Sequence, residues 1–190
     1  MSPRSPPRPG RAWAPADRYP QNGTPHPGCR RRFARQVTEA IERRGLSVRA
    51  GIEVEWVVAD AAGSPSTVGP MYGMTRFVEH SDHLREVLRA LTAQGLLVLQ
   101  LHPEYAAGQF EVSVAAEGSV EAADTTMLVR HTIRAVSARH GLRVSYAPVV
   151  TEAARFLAAG AARNHPSPQA ASAMSNVCAA LPIDPGRRCR

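Results

Sequence analysis

A chain of 190 residues with a formal net charge of +7 is long enough for one domain with a real core, or one domain with tails. No run approaches the ~20 apolar residues that span a bilayer, which excludes a membrane-spanning helix. The three cysteines, Cys29, Cys178 and Cys189, show no C-x-x-C spacing, which argues against a disulfide framework or a structural zinc site and for a reduced, cytoplasmic setting.

The charge is uneven. Residues 1–36 carry eight Arg against Asp17, and residues 151–190 carry five Arg against Glu152 and Asp184. The middle, 37–150, holds ten Arg against thirteen acids, so the basic character belongs to the ends. All 23 basic residues are Arg, which reads as genomic composition bias. Arg-rich ends without interleaved aromatics are weak support for nucleic-acid binding.

In chain order, residues 1–27 hold eight prolines and no apolar h-region. They predict an irregular arm and not a secretory signal. Phe33, Val37 and Ile41 recur every fourth residue from Cys29 onward, and Gly45 is placed to end that helix. From Val48 to Val58 the period is two. Ile52, Val54, Trp56 and Val58 share one face of a strand, and Glu53, Glu55 and Val57 take the other.

Residues 60–70 read as a Gly/Ser/Pro loop. Leu84, Val87, Leu88 and Leu91 predict a second helix, capped by Ser81 or Asp82 and ended by Gly95. Leu96 to Leu101 is nearly all apolar and predicts a buried strand. It leads into a hairpin turning at Ala107-Gly108, with Glu104 opposite Glu111 and Tyr105 opposite Phe110. A strand from Gln109 to Ala115 follows. The next helix runs from Gly118-Ser119 to about His140 with Val129, Ile133 and Val136 buried, and Val144 and Tyr146 lie in a last strand. The order predicts an α+β domain with an antiparallel or mixed sheet covered by helices. Domain boundaries are placed at 28–150, between the arm and a poorly ordered tail, 151–190, in which Glu152 to Ala162 forms a short helix at most.

Four glutamates, Glu53, Glu55, Glu104 and Glu111, would crowd one sheet face if these strands are neighbours. Facing residues on antiparallel strands have Cβ atoms roughly 4.5–5.5 Å apart, and like charges there are destabilising. Either the carboxylates face water, or a hard divalent cation such as Mg²⁺ or Mn²⁺ sits among them. His102 reads as a structural hydrogen-bonding residue of the hairpin, Trp56 and Phe110 as core, Cys29 as an ordinary helix-start residue, and His80, His83, His131 and His140 as solvated.

The motifs favour the second reading. Gly51-Ile52-Glu53-Val54-Glu55-Trp56 resembles the G-x-E-x-E-[FW] strand of the glutamine synthetase family, and Gly69-Pro70-Met71-Tyr72 its G-P-x-Y. The segment from His102 to Glu111 resembles its H-[HP]-E-x-A-x-G-Q-[FY]-E stretch. Order and approximate spacing agree over residues 28–148, with the helix from Ala122 to Gly141 and Tyr146-Ala147-Pro148 in the places of the family's helix and F-M-P strand. The resemblance implies an ATP-dependent ligase that forms γ-glutamyl phosphate from glutamate, which ammonia or an amine then attacks. It implies Glu55, Glu104 and Glu111 as ligands of a first Mg²⁺ or Mn²⁺, Glu53 as one ligand of a second at the ATP phosphates, and Gln109 near the substrate pocket. The wording of the Glu104–Glu111 stretch is closer to γ-glutamyl-polyamine and other amine ligases.

The resemblance also implies homo-oligomers, in which a small β-grasp domain completes a neighbour's site. Here a Pro/Arg arm stands in that domain's place. The H-x-H-x-S segment, the later glutamate ligand and the N-R-x-x-x-R region are not found, and His165-Pro166-Ser167 lacks the required flanks. The expectation is a truncated catalytic fragment, inactive alone. The alternatives are a non-catalytic remnant that binds full-length relatives, and a basic nucleic-acid-binding protein.

Overall fold

In a computed structural model, the described residues are 12–147 and 177–182, with side chains described in the first span. Strand β1 (Leu46–Ala59) is the hub, because its alternating pattern gives it two different faces. Helix α1 (Arg30–Glu42) precedes it. Helices α2 (Met74–Glu79) and α3 (Ser81–Ala93), strands β2 (Val98–Pro103) and β3 (Gln109–Gly118), helix α4 (Ser119–Arg139), strand β4 (Arg143–Ser145) and strand β5 (Val177–Pro182) follow. The strands lie in the order β2-β3-β1-β4, β5 also pairs with β1, and every pairing is antiparallel. This is the expected α+β arrangement.

One face of the sheet carries the core. Ile52, Val54, Trp56 and Val58 of β1 and Phe110, Val112 and Val114 of β3 are buried with Leu84, Val87 and Leu91 of α3 and Leu128, Val129, Ile133 and Val136 of α4. Each large apolar side chain contributes about 1.5–3 kcal/mol on burial. Trp56 and Phe110 are cross-strand partners with ring centroids 5.9 Å apart.

Several expectations are corrected. The residues 96–101 are not a buried strand: β2 is the sheet's edge, and Leu97 and Leu99 are 66% and 60% exposed. An apolar run alone does not separate edge from centre. The apolar stripe of α1 also faces outward, with Phe33 66% exposed. Charge pairs hold α1 by its other side: Arg31 reaches Asp124 (2.9 Å) and Asp17 (2.8 Å), and Arg35 reaches Asp17 (2.9 Å). Asp17 lies in the irregular arm, which Trp13 also ties to the core. Helix α2 has no counterpart in the sequence reading.

His83 is not solvated. It is 2% exposed, donates to or accepts from Ser137 Oγ at 2.8 Å, and packs edge-on to His80 and His140. Within the expected tail, Val177–Pro182 forms β5; the proposed helix at 152–162 and His165 lie outside the described residues.

The hairpin register differs from the predicted one. His102, not Glu104, faces Glu111, and Pro103 faces Phe110. The turn at Ala107-Gly108 forms as expected, with Gln109 N donating to Ala106 O at 3.0 Å and Gln109 Oε1 accepting from Ala106 N at 2.8 Å. Glu104 N, however, donates to Gln109 O at 2.9 Å, so β2 resumes pairing two residues out of the predicted register. Gly108 has φ 69°, and a Cβ there would stand 2.4 Å from Val58 O. Its amide donates to Thr67 O (2.9 Å) and its carbonyl accepts from Val58 N (2.8 Å). Only glycine satisfies both the backbone sign and the close approach.

Two predictions follow from this packing. Gly108→Ala should cost about 2 kcal/mol or more in urea unfolding, since strain and backbone displacement add. Burial lowers the His83 pKa from 6.5 to about 4, with His140 and His80 adding to the effect. The folded state then binds fewer protons than the unfolded chain between these values. Its stability contribution is complete above pH 6.5 and is lost as pH falls toward 4. The difference between wild type and His83→Gln in urea midpoints should shrink or reverse over that window, and a constant difference would contradict it.

Candidate metal centre

The register that buries Trp56 against Phe110 sets Glu55 opposite Glu111 on the other face, with Ser113 opposite Glu53. On β2, His102 faces Glu111 from the far side. Two strands thus present Glu55 and Glu111, and the loop after β2 brings Glu104 to them. His102 Nδ1 lies 3.3 Å from Glu104 Oε1, and Nε2 lies 3.6 Å from Glu111 Oε1. One donor atom from each of His102, Glu104 and Glu111 falls within 4.8 Å of the others. Glu104 and Glu111 are 6% and 9% exposed, whereas Glu53 stands at the open rim.

Electrostatic repulsion couples the four carboxylates. Burial pushes the Glu111 pKa up to about 7, and the charges of Glu53, Glu104 and Glu55 add to the rise. Burial also raises Glu55, opposed by a hydrogen bond from Gln109 and reinforced by Glu53. Glu104 is raised by burial as well, with His102 opposing. Desolvation and like charge both penalise ionised carboxylates. A hard cation with oxygen ligands would remove that penalty, so the donor set fits Mg²⁺ or Mn²⁺.

Gln109 has both ends of its side-chain amide engaged. Its Nε2 donates to Glu55 Oε2 at 2.6 Å while its Oε1 accepts from Ala106 N, so both ends of the amide orient the cluster. Ser113 Oγ lies 3.4 Å from Glu111 Oε1.

Three neighbours were given no role at the metal site by the sequence reading. His102 sits between two of the carboxylates, and its signal was its spacing two residues before Glu104 on a strand paired with the Glu111 strand. Tyr72 was legible only as part of a motif. Its φ of 52° is the one positive value at a non-glycine residue among those described, and its hydroxyl reaches Glu104 Oε2 at 3.4 Å. Its ring stands 5.4 Å from His102 and 5.5 Å, edge-on, from Tyr105. Arg76, fully buried, had no sequence signal.

The sheet with four glutamates on its open face carries the same three motifs over one continuous span, and residues 27–155 match the family described as glutamine synthetase, catalytic domain. The chain belongs to this family. It is 59% identical over 149 residues to the gamma-glutamylpolyamine synthetase of Streptomyces coelicolor, a match covering 75% of this chain and 32% of that protein. It is 26% identical over 156 residues to the gamma-glutamylanilide synthase of an Acinetobacter species, covering 70% of this chain and 31% of the relative. A glutamine synthase homolog of known crystal structure superposes with a TM-score of 0.62 at 29% identity, covering 67% of this chain and 30% of the other. The chain spans about a third of the length of the curated relatives it matches. Among the described residues, no helix is long and apolar enough to cross a membrane.

Mn²⁺ titration of this chain should reveal a site that Glu55→Gln, Glu104→Gln and Glu111→Gln each weaken by about 10-fold or more, read from the free Mn²⁺ signal in electron paramagnetic resonance. Binding should weaken as pH falls through about 7, where Glu111 takes up its proton, because ion and proton compete for the carboxylate.

Proposed function

We propose that this chain supplies the glutamate-side metal site of an ATP-dependent ligase that joins the γ-carboxyl of glutamate to ammonia or an amine. The observation that carries the reading is the convergence of Glu55, Glu104 and Glu111, with His102 among them, on the open face of a sheet in a member of this family. In this reading Glu55, Glu104 and Glu111 hold a first Mg²⁺ or Mn²⁺, and Glu53 at the rim is one ligand of a second, toward the ATP phosphates. Such ions supply charge neutralisation and a template for phosphoryl transfer to glutamate. Gln109 holds Glu55 at its angle, and the core behind the sheet keeps the strands in register. The working unit is residues 28–150, flanked by the arm and the tail, in a cytoplasmic setting.

For the acceptor, an amine is favoured over ammonia. The 59% identical relative is named for γ-glutamylpolyamine synthesis. Tyr72 and Tyr105 offer aromatic faces beside the Glu104 carboxylate, a combination that attracts an alkylammonium group. Homo-oligomer formation with a full set of neighbouring elements belongs to the same proposal.

Isothermal titration tests the reading in this chain. L-Glutamate should bind in the presence of Mn²⁺ and about 10-fold or more weakly in its absence, and Glu55→Gln should abolish the difference. Glutamate binding indifferent to Mn²⁺ would overturn it.

A further inference from the structure

The loop that presents Glu104 is held from below by one side chain. Arg76 lies on α2, a helix of six residues, and its side chain is completely buried. A buried guanidinium needs acceptors for its five N–H groups, and an arginine fork is suited to bridging several oxygens at once. All the acceptors it finds are main-chain carbonyls. Nη1 donates to Ala106 O at 2.6 Å, Nη2 donates to Glu104 O and to Pro70 O (3.2 Å), and Nε donates to Pro70 O (3.3 Å).

These carbonyls belong to two separate loops. Glu104 and Ala106 flank Tyr105 at the tip of the β2–β3 hairpin. Pro70 begins the turn that puts Tyr72 into its left-handed conformation with its hydroxyl at Glu104 Oε2. The same helix reaches the adjoining segment through Glu79, which accepts from Thr67 Oγ1, and Thr67 O accepts from Gly108 N. The hairpin tip has little regular pairing of its own. After Pro103 the ladder gives way to the Glu104 N–Gln109 O bond, the single turn bond from Gln109 N to Ala106 O and the Gln109 side-chain bond to Ala106 N.

We infer that Arg76 is a positioning residue of the metal centre: its fork fixes the main chain at Glu104 and, past Tyr105, at Ala106, and through Pro70 the loop that carries Tyr72. It touches neither ion nor substrate. It acts by setting where one carboxylate stands relative to Glu55 and Glu111, whose places are set independently by the β1–β3 register. A ligand set built from two rigid strands and one loop is only as exact as the loop, and groups that orient ligands from behind are commonly worth 10–100-fold in metal affinity. The inference rests on the carboxylate cluster being a metal centre.

Mn²⁺ affinity of the full chain separates the two claims. Wild type should bind, Arg76→Lys should bind about 10-fold more weakly because one ammonium cannot span two loops, and Arg76→Met about 100-fold more weakly. Each variant is compared at equal folded fraction, judged by circular dichroism. Leu91→Ala serves as the control. It opens a cavity in the core at α3, away from both loops, and should lower stability while leaving Mn²⁺ affinity unchanged.

Wild type that fails to bind Mn²⁺ would overturn the metal-centre reading and this inference with it. Wild type that binds, with both Arg76 variants within twofold of it, would overturn this inference alone. So would a Leu91→Ala chain whose affinity falls as far as theirs. Should both Arg76 variants unfold, hydrogen exchange of wild type decides. The amides of Ala106, Gly108 and Gln109 should exchange as slowly as those of β3, and exchange at the rate of an open loop would overturn the clamp.

Discussion

The pairing of Trp56 with Phe110 across β1 and β3 is the constraint on which the rest depends. Side chains alternate along a strand, so one register decides both faces of a sheet at once. The register that places two aromatic rings 5.9 Å apart in the core also puts Glu55 opposite Glu111 on the open side. A slip of one residue would bury the glutamates and expose the rings. The apolar face therefore enforces the acidic one: the free energy of burying Trp56, Phe110 and their neighbours holds together carboxylates that repel each other.

That division of labour explains how the proposed metal site can be held together without an ion. The two strands bring Glu55 and Glu111 at fixed spacing, and burial makes their ionised forms costly. The loop adds Glu104, whose carbonyl accepts from Arg76, and Gln109 ties the loop to Glu55. Each anchor draws on a different kind of interaction: cross-strand packing, a charge-assisted fork on carbonyls, and a side-chain amide used at both ends.

Much of this was legible in the sequence, and the boundary of legibility has a physical cause. Period-two alternation in 52–58 identified both the core face and the acidic face of β1, and the helices α3 and α4 were readable from their apolar spacing. These are local signals. The edge position of β2 was not readable, because Leu96 to Leu101 has the same composition whether or not a further strand lies beyond it. The hairpin register was misread by two residues because, beyond the Ala106–Gln109 turn, Glu104 N and not Ala106 N bonds Gln109 O, which leaves Tyr105 and Ala106 outside the ladder. Helix α2 has too few turns for a period, and what holds it is a buried arginine bonded to the loop just before it and to a hairpin distant in sequence. His83 looked polar in its neighbourhood along the chain and is buried in its neighbourhood in space.

The outer edge of β2 has a consequence for the chain's behaviour in solution. Leu99 of β2 and Leu97 just before it are exposed beside an edge that is paired along one side only among the described strands, in a six-residue run without charge, proline or glycine. Nothing in that run discourages another strand from docking along it, and such segments seed intermolecular sheets. At high concentration this chain should therefore self-associate through β2 first, and a charged residue at Leu99 would act as the gatekeeper the segment lacks.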